Sequence, residues 1–209
     1  MTHEPAPWLA SSRLALRELC DEDLLDVVTM HNDARLRALL LDDQPLDQGF
    51  VAWRFLQNMA AFYRAHEGLG IWHASVPVGG PAAGARRFVG WFNLMPLASR
   101  GADAVELGSR LVPAAWGGAL ALEGGELLLG HAFATPGRAR IWGTCHPDNR
   151  PARICLAALG FTEHELADYD GRTAVYASVT RERWLALRDE PRRARLRRAL
   201  GGAALEAAA

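Results

Sequence analysis

The chain contains no lysine; all 23 of its basic residues are arginine. A lysine amine reaches the phosphates in a Walker A loop, forms the Schiff base of pyridoxal phosphate enzymes and is the nucleophile of class I aldolases, so its absence excludes all three chemistries. Cysteine is scarce as well. Cys20, Cys145 and Cys155 make an odd number with no Cys-x-x-Cys spacing, which suits neither a disulfide framework nor a structural zinc site. Cys145, His146 and Asp148 are close in sequence, but side chains so near one another at a strand end diverge, and no metal is expected. No apolar run approaches the length of a bilayer span, and Met1-Thr2-His3-Glu4-Pro5 lacks the basic start and apolar centre of a secretory signal, so the cytoplasm is the expected location. Neither sign of charge dominates. With 23 basic and 24 acidic residues the formal net charge is −1, and there is no global field to attract nucleic acid or an anionic membrane. The Gly-x-Gly-x-x-Gly fingerprint is missing too, which argues against a dinucleotide-binding oxidoreductase.

What is present is a chain of 209 residues, half of them hydrophobic, long enough for one large domain with a sizeable core. Leu14, Leu16 and Leu19 alternate with polar or small neighbours and predict a strand, followed by a helix that starts at the acidic turn Asp21-Glu22-Asp23. A second helix is expected from about Asp47 to Ala65, stopped near Gly68. Residues 70–76 and 88–95 read as strands joined by a flexible loop from Pro77 to Gly84. A strand over about 104–111, a helix over 118–133, a strand over 140–145 and a helix from Pro151 through Ala158 come next, and strands near 161–166 and 172–179 close the sheet. The domain is expected to end near residue 185. Residues 186–209 then form a basic helical tail in which Arg192, Arg193, Arg195, Arg197 and Arg198 make a solvated face.

The most informative stretch runs from Glu106 to Phe161. Its Trp116-Gly117-Gly118-Ala119-Leu120-Ala121 turn opens a helix, and the first N–H groups of a helix have no intrahelical acceptor. Those donors, with the positive end of the helix dipole, suit a phosphate or pyrophosphate. Four pieces occur in order: Glu106-Leu107-Gly108-Ser109-Arg110-Leu111-Val112-Pro113, the Trp-Gly-Gly-Ala-Leu-Ala turn, His146-Pro147-Asp148-Asn149 with Leu159-Gly160-Phe161, and Asp168-Tyr169-Asp170-Gly171-Arg172. Together they resemble the GNAT superfamily of acyl-CoA N-acyltransferases, in the branch similar to the RimJ/RimL ribosomal-protein N-acetyltransferases. With weaker matches from Arg13 onward, the resemblance spans roughly residues 10 to 185.

The resemblance implies an α/β (α+β) fold: a mixed, mostly antiparallel, strongly twisted sheet of about six to seven strands flanked by helices, with a coenzyme A cleft between splayed fourth and fifth strands. It implies acetyl-CoA as the cofactor, with its pyrophosphate on the N–H groups of Gly117, Gly118, Ala119 and Ala121 and its pantetheine arm along Leu111 and Val112. Asn149 would hydrogen-bond the arm, while Trp116, Leu120 and Cys155 complete the cofactor-lining set. Ala119 stands where the family usually has glycine. Ala152 replaces a hydroxyl that protonates the thiolate in some members, leaving Cys155, Tyr169 or water for that step.

Acyl transfer from a thioester to an amine needs a neutral amine, a stabilised oxyanion and a proton for the departing thiolate. Glu106 is the expected general base, since a carboxylate facing a dry cleft has its pKa raised toward working pH. A structural role for Glu106 is the alternative. His73, Trp72, Trp91 and Phe92 are expected to be structural. The function that follows is direct attack of a primary amine, from a protein N-terminus or a small molecule, on acetyl-CoA. The competing reading is an acyl-CoA-binding sensor or interaction module that lost turnover, suggested by Ala119 and Ala152. Dimers are frequent in this branch, so a homodimer is a further expectation.

Overall fold

The structure is a computed structural model that describes residues 9–41, 46, 49–79 and 84–206. Among the described residues eight strands form one sheet: β1 (Leu9–Ala10), β2 (Ala15–Glu18), β3 (Gly70–Pro77), β4 (Arg86–Pro96), β5 (Val105–Leu111), β6 (Arg140–Cys145), β7 (Thr162–Tyr169) and β8 (Arg172–Thr180). Their spatial order is β1-β2-β3-β4-β5-β6-β8-β7. Every neighbouring pair is antiparallel except β5 and β6, which are parallel. The sheet exceeds the expected strand count because two-residue β1 adds to its edge. The expected fourth and fifth strands are therefore β5 and β6.

Among the described residues seven α-helices accompany the sheet: α1 (Leu24–His31), α2 (Ala34–Arg37), α3 (Gly49–Ala65), α4 (Leu120–Ala134), α5 (Arg150–Ala158), α6 (Arg181–Leu187) and α7 (Arg192–Glu206). Strand side chains alternate between faces. Leu14, Trp72, Phe92, Leu94, Leu107 and Ile141 build the main core with α4, α5 and Trp184 of α6. Trp91 of the opposite face joins Leu19, Val27, Met30, Leu36 and Leu56 beneath α1 to α3. Glycines let helix α4 approach its neighbours: a Cβ at Gly124 would lie 2.2 Å from Phe92 of the sheet, and one at Gly125 would lie 2.6 Å from Leu159 at the end of α5. These glycines serve packing.

Expected and observed elements differ mainly at their ends, where caps rather than periodicity decide. Asn149 caps α5, its Oδ1 accepting from the Ala152 N–H at 3.2 Å. The start of the second expected helix at Asp47, and most of the expected 77–84 loop, lie outside the described residues. No described helix is long and apolar enough to cross a membrane.

The segment beyond residue 185 departs from the expected solvated tail. Helix α7 packs on α5, with Leu196 and Ala199 against the main core. Arg195 is 2% exposed. Its guanidinium pairs with Glu126 and donates to the Ala158 carbonyl at 3.2 Å. The reason is charge complementarity that a reading of α7 alone misses. Two acids on α4, Glu123 and Glu126, meet Arg192 and Arg195, while Arg198 pairs with Glu190 at 2.9 Å.

Candidate active site

Parallel strands β5 and β6 share one registered pair, Glu106 with Trp142, and then part. Ser109 is exposed although Leu107 and Leu111, two residues to either side on the same face, are buried in the core. A gap therefore opens in the middle of the sheet. At its far end the chain passes through a 3-10 turn, Pro113–Ala115, and enters the Trp116–Ala119 segment that starts α4.

This segment is shaped by main-chain geometry. Gly117 has φ +78°, a left-handed value that suits glycine, and Ala119, the residue preceding α4, has φ +58° and ψ +19°. A side chain in that region costs about 1–2 kcal/mol. The Ala119 carbonyl accepts the first bond of the helix, from the Glu123 N–H at 3.1 Å. The N–H groups of residues 117–122 have no acceptor among the described residues. A Cβ built on Gly117 would meet nothing within 4 Å, and the space in front of the turn is open. Several convergent N–H donors at a helix start, facing free space, fit a diphosphate. Trp116 is half-exposed, and its indole N–H donates to the Leu111 carbonyl at 2.8 Å, tying the turn to the end of β5. A cavity of about 330 Å3 adjoins the turn, lined by Arg13, Val76, Arg87, Trp116, Gly118 and Leu120 among others.

Behind the turn lies a buried carboxylate. Glu123 is 1% exposed and accepts hydrogen bonds from Ser11 Oγ, from Arg13 Nε at 2.8 Å and from Arg192 Nη1 at 3.2 Å. Burial opposes its ionisation, but the bonds from Ser11 and Arg13 and the nearby cationic charge outweigh it and hold the carboxyl below its usual range. Arg13 also donates through Nη1 to the Gly118 carbonyl at 3.1 Å.

Glu106 lies at the closed end of the gap and is 8% exposed. One carboxylate oxygen accepts from Thr144 Oγ1 on β6 and the other from Tyr169 Oη, at the end of β7, at 3.1 Å. Burial raises its pKa above the usual carboxylate range, against the opposing pull of those two hydroxyls and the Arg110 charge. Arg110 stacks over Trp91 at 5.0 Å, with Nη1 2.7 Å from His31 Nδ1. Tyr169 is half-buried, and burial and the Glu106 charge push its own pKa up. It is delivered by a tight hairpin in which Asp170 and Gly171 both have positive φ, 49° and 85°, the geometry of a type I′ turn.

Most of the remaining sequence-derived residues flank the turn in sequence or sit on α5, packed in or against the core. Leu111 is buried at the end of β5, Val112 is half-buried against the second core cluster, and Leu120 and Ala121 begin α4 against the main core. Cys155 is half-buried within α5, and burial pushes its thiol up to about 12, so it stays protonated and is a poor acid for a departing thiolate. His73 is buried against Asp23 at 3.6 Å, and burial lowers it to about 4, a neutral core histidine remote from Glu106 in the ladder. Sequence reasoning singled out neither Thr144 nor Arg13 for the site. Thr144 differs little from any strand threonine in sequence; only the parallel β5–β6 pairing signals its proximity to Glu106.

The sheet is mixed and parts at one parallel pair, with a turn of N–H groups at the open end and a buried carboxylate at the closed end. Residues 13–162 match the acetyltransferase (GNAT) domain family, and the chain belongs to it. Members of this family use acyl-CoA and an acceptor substrate. No curated protein matches the sequence. Among solved structures, RimJ of Mycobacterium smegmatis in complex with CoA-disulfide aligns with TM-score 0.64 at 20% identity, over 89% of this chain and 88% of that one. A spermidine N-acetyltransferase from Vibrio cholerae, in complex with CoA and spermine, aligns with TM-score 0.65 at 15% identity, over 84% and 99%. A GNAT-family acetyltransferase from Bacillus anthracis aligns with TM-score 0.66 at 16% identity, over 83% and 98%. At these identities the likeness is one of fold.

Proposed function

We propose that this chain is an acetyl-CoA-dependent N-acetyltransferase acting on a primary amine by direct attack, with Glu106 as its general base. The observation that carries the proposal is the alignment of two unlike features along one gap: N–H groups at 117–122 without an acceptor among the described residues and the buried Glu106 carboxylate, joined by the stretch of β5 that pairs with β4 but not with β6. Gly117, Gly118, Ala119 and Ala121 hold the diphosphate through main-chain N–H groups. Leu111, Val112, Leu120 and Cys155 line the arm, Asn149 meets it from α5, and Trp116 braces the turn. Acetyl-CoA supplies the activated acyl thioester.

The chain's own residues must hold the amine and take its proton. Both Glu106 oxygens already accept hydroxyl protons, so the shortest route runs through Tyr169: its oxygen takes the proton from the amine as its own O–H proton passes to Glu106 Oε2. The phenol returns to its starting state and the carboxylate becomes neutral, the form that burial favours. No cysteine has the activation that a covalent route needs, because burial raises all three thiols to about 12.

The resemblance to the RimJ/RimL branch and the RimJ neighbour support a peptide amine as acceptor; the spermidine N-acetyltransferase neighbour supports a polyamine. Thiol release from acetyl-CoA across a panel of N-terminal peptides, polyamines and amino acids, beside calorimetry with CoA, tests the proposal. Turnover with any amine sustains it. CoA binding without turnover on the whole panel would instead favour a binding module, a reading to which Ala152 and the fully engaged Glu106 already lend support.

A further inference from the structure

The strained residue at the start of α4 raises a question that the cofactor assignment leaves open: what keeps Ala119 left-handed when no ligand is bound? We infer that Arg13 is the positioning residue of the diphosphate turn, fixing the Gly118–Ala119 peptide so that its N–H faces outward. The inference rests on the proposed CoA reading.

In a trans peptide the C=O and the following N–H point in opposite directions. Arg13 Nη1 donates to the Gly118 carbonyl at 3.1 Å, so the Ala119 N–H is aimed away from the guanidinium, and it has no partner among the described residues. The peptide on the other side of Ala119 is pinned as well, its carbonyl accepting from the Glu123 N–H at 3.1 Å. With both flanking peptides held, Ala119 is confined to φ +58° and ψ +19°. The guanidinium is in turn held by Glu123, which takes Nε at 2.8 Å and also Nη2. That fork leaves Nη1 for the carbonyl. Ser11 and Arg192 engage the same carboxylate, so the clamp is anchored from β1's end of the sheet and from α7. An ammonium lacks the planar fork and cannot make the same three bonds together.

The role belongs to Arg13 through the backbone it holds, and this separates it from an arginine that attracts phosphate by charge. If charge alone mattered, Arg13→Lys would preserve affinity. If the clamp matters, Arg13→Lys and Arg13→Gln both weaken CoA, and Ala119→Gly repairs the loss, because glycine adopts the left-handed conformation without being held there.

The test is calorimetry of CoA with the full-length wild type, Arg13→Gln, Arg13→Lys and each of these combined with Ala119→Gly, with circular dichroism to verify folding. Both single variants are expected to bind CoA at least tenfold more weakly, and both double variants to return to within about threefold of wild type. Unchanged affinity in the folded single variants overturns the inference, as does a loss that glycine fails to repair. If Arg13→Gln does not fold, the Arg13→Lys pair decides alone, since it retains a cation beside Glu123. Wild type that fails to bind CoA removes the functional reading itself, whereas binding that is indifferent to Arg13 removes only this inference.

Discussion

The two ends of the gap between β5 and β6 are built by opposite means. The open end is main chain: N–H groups of residues 117–122, glycines, and a left-handed alanine facing open space. The closed end is side chain: a carboxylate from β5 held by hydroxyls from β6 and β7 and almost sealed from water. Backbone amides offer a diphosphate several donors without immobilising a flexible cation, whereas a base needs a particular dielectric environment to acquire a useful pKa. In the proposed function one end selects a ligand by shape and the other adjusts an equilibrium. Substitution should therefore affect them differently, through affinity at the open end and through rate and pH dependence at the closed end.

The largest effect is expected at Glu106. Glu106→Gln should lower kcat by about 100- to 10,000-fold, the span of general acid–base contributions, with little change in CoA affinity. Stopped assays from pH 5 to 9 check the assignment: the wild-type rate falls as pH drops through the raised carboxyl pKa, and the variant lacks that limb. Stability gives a second reading with a definite sign. Because the folded-state pKa lies above the unfolded one, the contribution of Glu106 is fully present below the ordinary carboxylate range and is lost as pH rises through the folded value. Thermal melts should show wild type declining relative to Glu106→Gln across that window. A parallel pair of curves would remove the raised pKa. Tyr169→Phe should retain the fold and lose a smaller part of kcat, which separates the phenol's proton route from simple support of the carboxylate.

The next test asks whether side-chain construction always accompanies function. Glu126 and Arg195 make a second buried acid–base contact, but one that joins α7 to α4 and takes no part in the proposed chemistry. Removing the acid strands a guanidinium whose Nε already lacks a partner, so Glu126→Gln should destabilise the fold by about 3–5 kcal/mol in urea unfolding. Arg195→Met, which removes the charge and keeps the stem, should cost much less. Equal losses would show that packing, rather than the stranded charge, dominates the contact.

At the open end, Gly117→Val is the sharpest probe. Its φ of +78° is unsuited to a β-branched residue, although a Cβ there meets no protein atom within 4 Å. The substitution should weaken CoA at least tenfold by calorimetry, about 1.4 kcal/mol or more, while kcat at saturating acetyl-CoA changes little. A pure loss of kcat would contradict the division of labour between the two ends.

These two constructions also explain what was readable in the sequence. Main-chain sites leave glycines and caps in a contiguous segment, so the 116–121 turn, its helix and the strand before it were visible, as were the alternating strands and the Asp170–Gly171 hairpin. Side-chain sites draw on distant residues. Thr144 and Tyr169 lie 38 and 63 positions from Glu106, and Arg13 lies 105 from Gly118; no local pattern links them. The burial of Arg195 was hidden for the same reason, because an arginine-rich helix looks solvated until Glu123 and Glu126 are known to face it. The left-handed state of Ala119 was hidden too, since alanine is a favourable residue inside a helix and carries no mark of strain at its start.

That strained alanine gives the smallest predicted effect and separates backbone shape from backbone flexibility. Ala119→Gly removes the left-handed penalty of about 1–2 kcal/mol, but it also restores about 0.5–1 kcal/mol of unfolded-chain entropy. The two terms differ in sign and leave a net gain of at most about 1.5 kcal/mol, measurable as a higher urea midpoint with an unchanged m-value. In the wild-type background, where Arg13 already holds the turn, CoA affinity should move by less than about threefold, far below the loss expected of Gly117→Val. If glycine instead weakened CoA strongly, the turn would depend on the rigidity that alanine confers, and the open end would owe more to a side chain than its row of N–H groups suggests.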